Sequence, residues 1–278
     1  MLSELEHPSL DGLWAFVCAR EDIRLKRLEG KRPPWTDDPL LKTFFFCNVR
    51  REHDKGTLYY LERVAPAALE LSDLLWRTIL YRAINNSYWF QQTFGGVFGR
   101  GQWALGTVER RQLEDALYAA EPPYSPAYIV LQGPDGATRK QHLLQLLSYL
   151  EENIDSLTSS IRLASSLKNV WRLLQEIPYI GPFIALQIYR DLLLVGKLPF
   201  KDNDFTYLGP GARKGLFELT GLRTYKEQYK YLRERILPNQ PECLQPPLTL
   251  GDCEHISCEY SKYLRLSRGG GRHRYYRH

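Results

Sequence analysis

A chain of 278 residues, 44% apolar and 25% charged, can bury one large core or two modest ones, and this composition excludes global disorder. Arg and Lys interrupt every apolar run, and the opening Met1-Leu-Ser-Glu-Leu-Glu-His7 carries acids without an apolar signal region, so neither a membrane span nor a secretory leader is expected. The net charge of +5 is concentrated at one end: five arginines and no acid lie between Arg265 and His278, which leaves the rest formally neutral.

Five cysteines, an odd number spread over a long chain, fit free thiols in a reducing cytoplasm. In chain order, residues 10–28 read as a helix with Leu13, Phe16, Val17 and Ile23 on one stripe. Arg20, Arg24 and Arg27 share another face of it, which is either solvated or turned toward an anion. Pro33-Pro34 stops this helix, and Asp37 or Asp38 caps the next at Pro39. An apolar run ending in Phe44-Phe-Phe46 abuts the polar Val49-Arg-Arg-Glu-His-Asp54. Asn48 and the Arg/Asp groups beside it need partners, as a structural network or as the edge of a site.

Further helical patterns cover residues 58–63, 67–85, 109–120, 139–153 and 155–166. The glycine-rich Phe94-Gly-Gly-Val-Phe-Gly-Arg-Gly101 has neither a strand before it nor Lys-Ser/Thr after it, so it is no phosphate loop. Tyr128-Ile-Val-Leu-Gln132 is either a short strand or an extended connector. The apolar arm 167–176 runs into Ile177-Pro-Tyr-Ile-Gly181, and a second apolar helix starts near Pro182. The turn reads as a helix–hairpin–helix of the DNA-glycosylase type, in which glycine permits close approach and helix N–H groups face a phosphate. An ordinary αα-hairpin fits the same pattern. The chain is therefore expected to be mainly α, with a helix–hairpin–helix, DNA-glycosylase-like helical fold. Residues 1–266 form one unit or two lobes, with the hairpin lobe at about 68–200, and residues 267–278 form a basic Arg/Gly/Tyr tail. That tail suits phosphate contact and stacking as well as plain solvation.

Asp202 and Asp204 lie about twenty residues beyond Gly181, where helical glycosylases carry a catalytic aspartate, and they alternate along a segment that reads as extended. Phe183 stands where bifunctional glycosylases carry a lysine nucleophile, which disfavours lyase chemistry. Cys243, Cys253 and Cys258 are too few and wrongly spaced for an iron–sulfur cluster. His255 with Cys253 and Cys258 offers zinc-type ligands, but without a second Cys-x-x-Cys pair no metal ligands are assigned. Tyr225 begins a charged helix to Ile236, and Asp252 opens the last motif-bearing stretch.

A set of motifs occurs in order: Arg24-x-x-Arg27, Pro34-Trp-Thr-Asp-Asp-Pro39, Phe46-Cys-Asn-Val-Arg-Arg-Glu-x-Asp54, Ile177-Pro-Tyr-Ile-Gly-Pro182, Gly209-Pro-Gly-Ala212 and Glu254-His-x-x-Cys-Glu-x-x-Lys-Tyr263. The combination resembles the α-glutamyl/putrescinyl-thymine pyrophosphorylase family, the amino acid:DNA transferases, which are related to the helical domain of 5-hydroxymethyl-deoxyuridine DNA kinases. The resemblance implies a bacteriophage enzyme of thymidine hypermodification, in the cytoplasm of an infected bacterial host. Such an enzyme acts after a DNA kinase and displaces pyrophosphate from modified 5-hydroxymethyluracil in DNA with an amine, an amino acid or putrescine.

That chemistry assigns expectations to residues. Asp54, Asp202, Asp204 and His255 are candidates for the proton acceptor. Arg24, Arg27, Arg50 and Arg51 are candidate pyrophosphate ligands, with Trp35, Asn48, Cys258 and Lys262 at the base or pyrophosphate site. Tyr179, Gly181, Gly209, Gly211, Arg213 and Lys214 are candidate DNA contacts. No cofactor is assigned, Mg²⁺ being left open. The partners expected are DNA containing modified thymidine and the amine donor, with no membrane. A monofunctional glycosylase or a noncatalytic DNA-binding module are the rival readings.

Overall fold

The computed structural model describes residues 9–65, 70–94, 110–112, 114–115, 124, 130–133 and 136–270. It is mainly helical, with no strand among the described residues. Of the expected strand, residues 130–132 are described and follow an irregular path, Leu131 adopting a left-handed φ of 53°. Residues 95–101 of the glycine-rich stretch and the Arg-rich end beyond residue 270 lie outside the described residues.

The chain forms two compact units, one from Met1–Asp54 with Phe205–His278 and the other from Lys55–Asp204. In the first unit, α1 spans Leu10–Leu28 and begins where the Ser9 hydroxyl accepts the Gly12 N–H at 3.1 Å. The short α2, Pro39–Thr43, is capped by Asp38, whose carboxylate accepts from the N–H groups of Leu40 and Leu41 at 2.8 and 2.9 Å. A single 3₁₀ turn, Arg51–His53, follows.

After residue 205 come α9, Pro210–Thr220, then α10, Tyr225–Tyr231, continued by a π turn over Leu232–Ile236, and finally α11, Leu250–Ser267. Capping boxes start α10 (Thr224 with Glu227) and α11 (Thr249 with Asp252). The core joins Leu13, Phe16, Val17 and Ile23 of α1 to Phe46, Leu216, Cys253, Ile256 and Tyr260. Each large apolar side chain buried there contributes roughly 1.5–3 kcal/mol.

α9 and α11 pack at backbone distance. A Cβ on Gly215 would stand 2.1 Å from the Ser257 carbonyl oxygen, and one on Gly211 would stand 2.3 Å from Cys258 Sγ. Cys18 of α1 and Cys243 form a disulfide, which corrects the expectation of five free thiols. Packing brings their Cα atoms to 6.8 Å although 225 residues separate them in sequence. Cys47, Cys253 and Cys258 take part in no disulfide.

The second unit contains α3 (Lys55–Tyr59, continued by a π turn over Tyr60–Val64), α4 (Leu71–Ile84) and α5 (Ser87–Phe94). It then contains α6 (Arg139–Arg162), α7 (Leu167–Leu174) and α8 (Pro182–Leu194). α4 ends in a left-handed Asn85 with φ 50°. Arg82 of α4 donates two hydrogen bonds to Asp191 of α8, at 2.5 and 2.8 Å, with both side chains almost wholly out of water. α7 and α8 form the expected hairpin, with Pro182 at the first helical position and Trp171 Nε1 donating to the Pro182 carbonyl at 2.9 Å.

Candidate functional site

The residues expected to do chemistry fall into separate settings. In the second unit, Asp202 Oδ2 accepts from Arg190 at 3.0 Å. Asp204 accepts the Lys201 N–H at 2.8 Å and returns its own N–H to the Lys201 carbonyl at 2.9 Å. Residues 202–204 are therefore a turn, where the sequence suggested an extended segment; the Asp204 carboxylate closes it.

Tyr179 occupies the hairpin turn with a left-handed φ of 66°. Its ring stacks on His142 at 4.3 Å, and its hydroxyl donates to Gln145. Gly181 has an ordinary φ of −77°, and a Cβ there would meet nothing within 4 Å. The unit's own packing therefore makes no demand for glycine at that position.

In the first unit, two motif-bearing segments meet: residues 45–54 and one face of α11. His255, Cys258, Glu259 and Lys262 fall at i, i+3, i+4 and i+7 and share that face. Asn48 links the two. Its carbonyl accepts from His255 Nε2 at 3.1 Å, its N–H donates to Asp54 Oδ1 at 2.9 Å, and its side-chain amide donates to the His53 carbonyl at 2.7 Å. A carbonyl can only accept, so His255 Nε2 is the donor in this contact.

The neighbouring Cys47 N–H donates to Glu259 Oε2 at 2.9 Å. Arg20, buried at 3% exposure, donates to the carbonyls of Phe46 (3.1 Å) and Cys47 (3.1 and 3.3 Å), and so fixes the segment from α1. Lys262 donates to the Phe45 carbonyl, and its ammonium lies 4.6 Å from the centre of the Phe46 ring. The Cys47 sulfur, an Asp54 oxygen and a His255 ring nitrogen all lie within 4.8 Å of one another.

The electrostatics of this cluster disfavour bare negative charge. Burial pushes the Cys47 thiol well above its ordinary value, and the Glu259 and Asp54 carboxylates add to it. Burial likewise raises the Asp54 carboxyl, against the opposing pull of His255, the Asn48 N–H and Arg51. Cys258 is raised by burial and by Glu254 and Glu259. Neither thiol has the activated, low-pKa surroundings of a nucleophile.

The expected cations are engaged within the same unit. Arg24 grips Glu21 at 2.5 and 3.0 Å, and the Arg27 guanidinium lies 5.4 Å from the Trp35 ring. Arg50 donates to the carbonyls of Pro246 and Pro247, and Arg51 is buried. Trp35 also borders a cavity of about 320 Å³ whose other walls include Ile23, Pro33, Pro34 and Leu41. Gly209 donates its N–H to Glu254 at 3.0 Å, and Gly211 lies against Cys258, so both take part in the packing of α9 on α11. Arg213 reaches Gln228 at 3.2 Å and lies 5.9 Å from the Tyr225 ring, while Lys214 is exposed.

Sequence reasoning assigned no role to Cys47 and Glu259. Both stand inside the quoted motifs, and Glu259 was reachable from its i+4 spacing to His255. No helix of the described residues is long and apolar enough to cross a membrane.

Comparison with known proteins gives two matches. The family model described as 5-hmdU DNA kinase, helical domain, matches residues 7–271. A 5-hmdU DNA kinase of Bacillus phage SP10 is 28% identical over 290 residues, covering 89% of this chain and 44% of that protein. The chain thus spans less than half the length of this relative. No solved structure matches.

Proposed function

The chain belongs to the family of the 5-hmdU DNA kinase helical domain, and we propose that it is a DNA-modifying transferase of bacteriophage thymidine hypermodification. In this reading it replaces the pyrophosphate of pyrophosphorylated 5-hydroxymethyluracil in DNA with an amine, an amino acid or putrescine, after a kinase has acted. The nitrogen lone pair forms a bond to the exocyclic carbon, the carbon–oxygen bond breaks, and pyrophosphate leaves with the electron pair. The amine proton passes to an acceptor on the protein.

The observation that carries the reading is the meeting of segment 45–54 with α11 through Asn48. It gathers Asp54 and His255, two of the expected proton acceptors, with Cys258 and Lys262 on the same helix face. Arg24, Arg27, Arg50 and Arg51 belong to the same unit and are the cations we assign to the leaving pyrophosphate, which must compete with the Glu21, Trp35 and proline-carbonyl contacts described above. The relative's kinase activity is not carried over, because these 278 residues contain no Gly-x4-Gly-Lys-Ser/Thr phosphate loop.

The α7–α8 hairpin is read as a helix–hairpin–helix grip on the DNA backbone. The open space around Gly181 and the first-turn N–H groups of α8 support it. Extrusion of the base from the duplex costs a few kcal/mol, which the grip offsets.

The test is incubation of the protein with DNA carrying pyrophosphorylated 5-hydroxymethyluracil and a panel of amino acids and polyamines, followed by nucleoside mass spectrometry. A base enlarged by one of the amines, in an intact strand, is the expected product. An abasic site identifies a glycosylase instead, and unchanged DNA that remains bound identifies a noncatalytic module.

A further inference from the structure

We infer that Cys47, Asp54 and His255 form a binding site for a zinc-like divalent transition-metal ion. Two of the side chains come from segment 45–54 and the third from α11, and one donor atom from each lies within 4.8 Å of the other two. Ligands around a tetrahedral zinc stand roughly 3.3–3.6 Å apart, given bonds of about 2.0–2.3 Å. Closure onto an ion therefore asks for side-chain movements of about an ångström.

The groups behind the ligands are arranged as metal sites require. The Asn48 carbonyl accepts from His255 Nε2 at 3.1 Å, which orients the ring that supplies the nitrogen donor. The Asn48 N–H holds Asp54 Oδ1 at 2.9 Å and so fixes the carboxylate that supplies the oxygen donor. The Cys47 backbone is clamped from both sides, its carbonyl by Arg20 and its N–H by Glu259 at 2.9 Å. One residue, Asn48, thus sets the orientation of two ligands and adjoins the third in sequence.

The donor set selects the ion. A thiolate and an imidazole are soft and borderline donors that suit zinc and its neighbours, whereas magnesium prefers oxygen alone. Three protein ligands leave one position of a tetrahedron open, which is the composition of a catalytic rather than a structural zinc. Cys258 lies on the same helix face, but its sulfur packs toward Gly211, and it is not among the converging donors.

Metal binding itself does not rest on the transferase reading. Its chemical use does: an ion held by Cys47, Asp54 and His255 would let a water at the open position give up a proton to solvent, and the hydroxide left would take the amine proton in place of Asp54 and His255.

The test is equilibrium binding to the full chain after chelator treatment, without DNA, with Zn²⁺, Co²⁺ and Mg²⁺ as probes. One equivalent of Zn²⁺ is expected, with a thiolate charge-transfer band on Co²⁺ binding and no uptake of Mg²⁺. Cys47→Ser removes the band, Asp54→Asn and His255→Gln weaken Zn²⁺ by at least about tenfold, and Cys258→Ala retains both band and stoichiometry. Circular dichroism of each metal-free variant controls for folding. Absence of Zn²⁺ binding by the wild-type chain, or binding indifferent to Cys47→Ser and His255→Gln, overturns the site. Metal binding without transfer in the assay above retains the site and removes only its proposed use.

Discussion

Replacement of Gly215 by alanine places a methyl group 2.1 Å from the carbonyl oxygen of Ser257 and 3.0 Å from its carbon. Both are backbone atoms of α11, so no rotamer change relieves the overlap, and the two helices must separate by about an ångström. Overpacking of a well-packed interior costs about 1–3 kcal/mol, and a backbone neighbour places this case at the upper end. Alanine returns about 1 kcal/mol of helix propensity. The net loss is about 2 kcal/mol, which lowers the melting temperature of a chain of this size by roughly 4–8 °C.

Two glycines calibrate the measurement. Gly211→Ala meets Cys258 Sγ at 2.3 Å, a group that one torsion can swing away, so it costs less, and it costs least in a Cys258→Ala background. Gly181→Ala meets nothing within 4 Å and loses only the modest preference for glycine over alanine at a helix N-cap. Thermal unfolding followed by circular dichroism ranks the three. A Gly215→Ala protein as stable as wild type, or a Gly181→Ala protein more damaged than it, refutes the reasoning.

Gly181→Ala retains its fold but binds duplex DNA more weakly than wild type in fluorescence anisotropy, because the methyl group obstructs approach to the hairpin backbone; equal affinity for the two proteins removes the hairpin from the DNA contact. Asp191→Ala leaves the Arg82 guanidinium buried without its carboxylate and destabilises by about 3–5 kcal/mol in denaturant titrations, while the apolar pair Arg82→Met with Asp191→Leu recovers much of that loss. Burial by itself pushes the Glu21 carboxyl up, but the Arg24 hydrogen bonds, with Arg24, His53 and Arg50 charges nearby, outweigh it and hold the carboxyl below its ordinary range. A depressed folded-state value stabilises the protein above the unfolded value and loses that contribution as pH falls through the folded one, so Arg24→Gln flattens the acid side of the stability–pH curve.

The helices were legible where local chemistry acts alone. Helix α1 runs over the stretch its apolar stripe marked, Asp38 caps α2 ahead of Pro39, and Pro182 opens α8. The turn at 202–204 was not legible, because a side-chain hydrogen bond from Asp204 decides it and alternation of two aspartates imitates a strand. Cysteine counting did not reveal Cys18–Cys243, since a bond across 225 residues depends on tertiary packing. For the same reason spacing rules tried His255 with Cys253, which lies in the hydrophobic core, and passed over Cys47, some two hundred residues upstream. The motif fragments around Cys47 and His255 were visible separately. Their convergence belongs to the fold.

The central claim is amine transfer onto a pyrophosphorylated base, and an isotope measurement tests it most directly. The protein is given that DNA with a nitrogen-labelled amine, and label in the purified nucleoside is compared with pyrophosphate released. The account predicts label in the base, one pyrophosphate released for each amine incorporated, and loss of both in Asp54→Asn and His255→Gln proteins that retain their fold. Pyrophosphate release without label, or a variant pair as active as wild type, contradicts it.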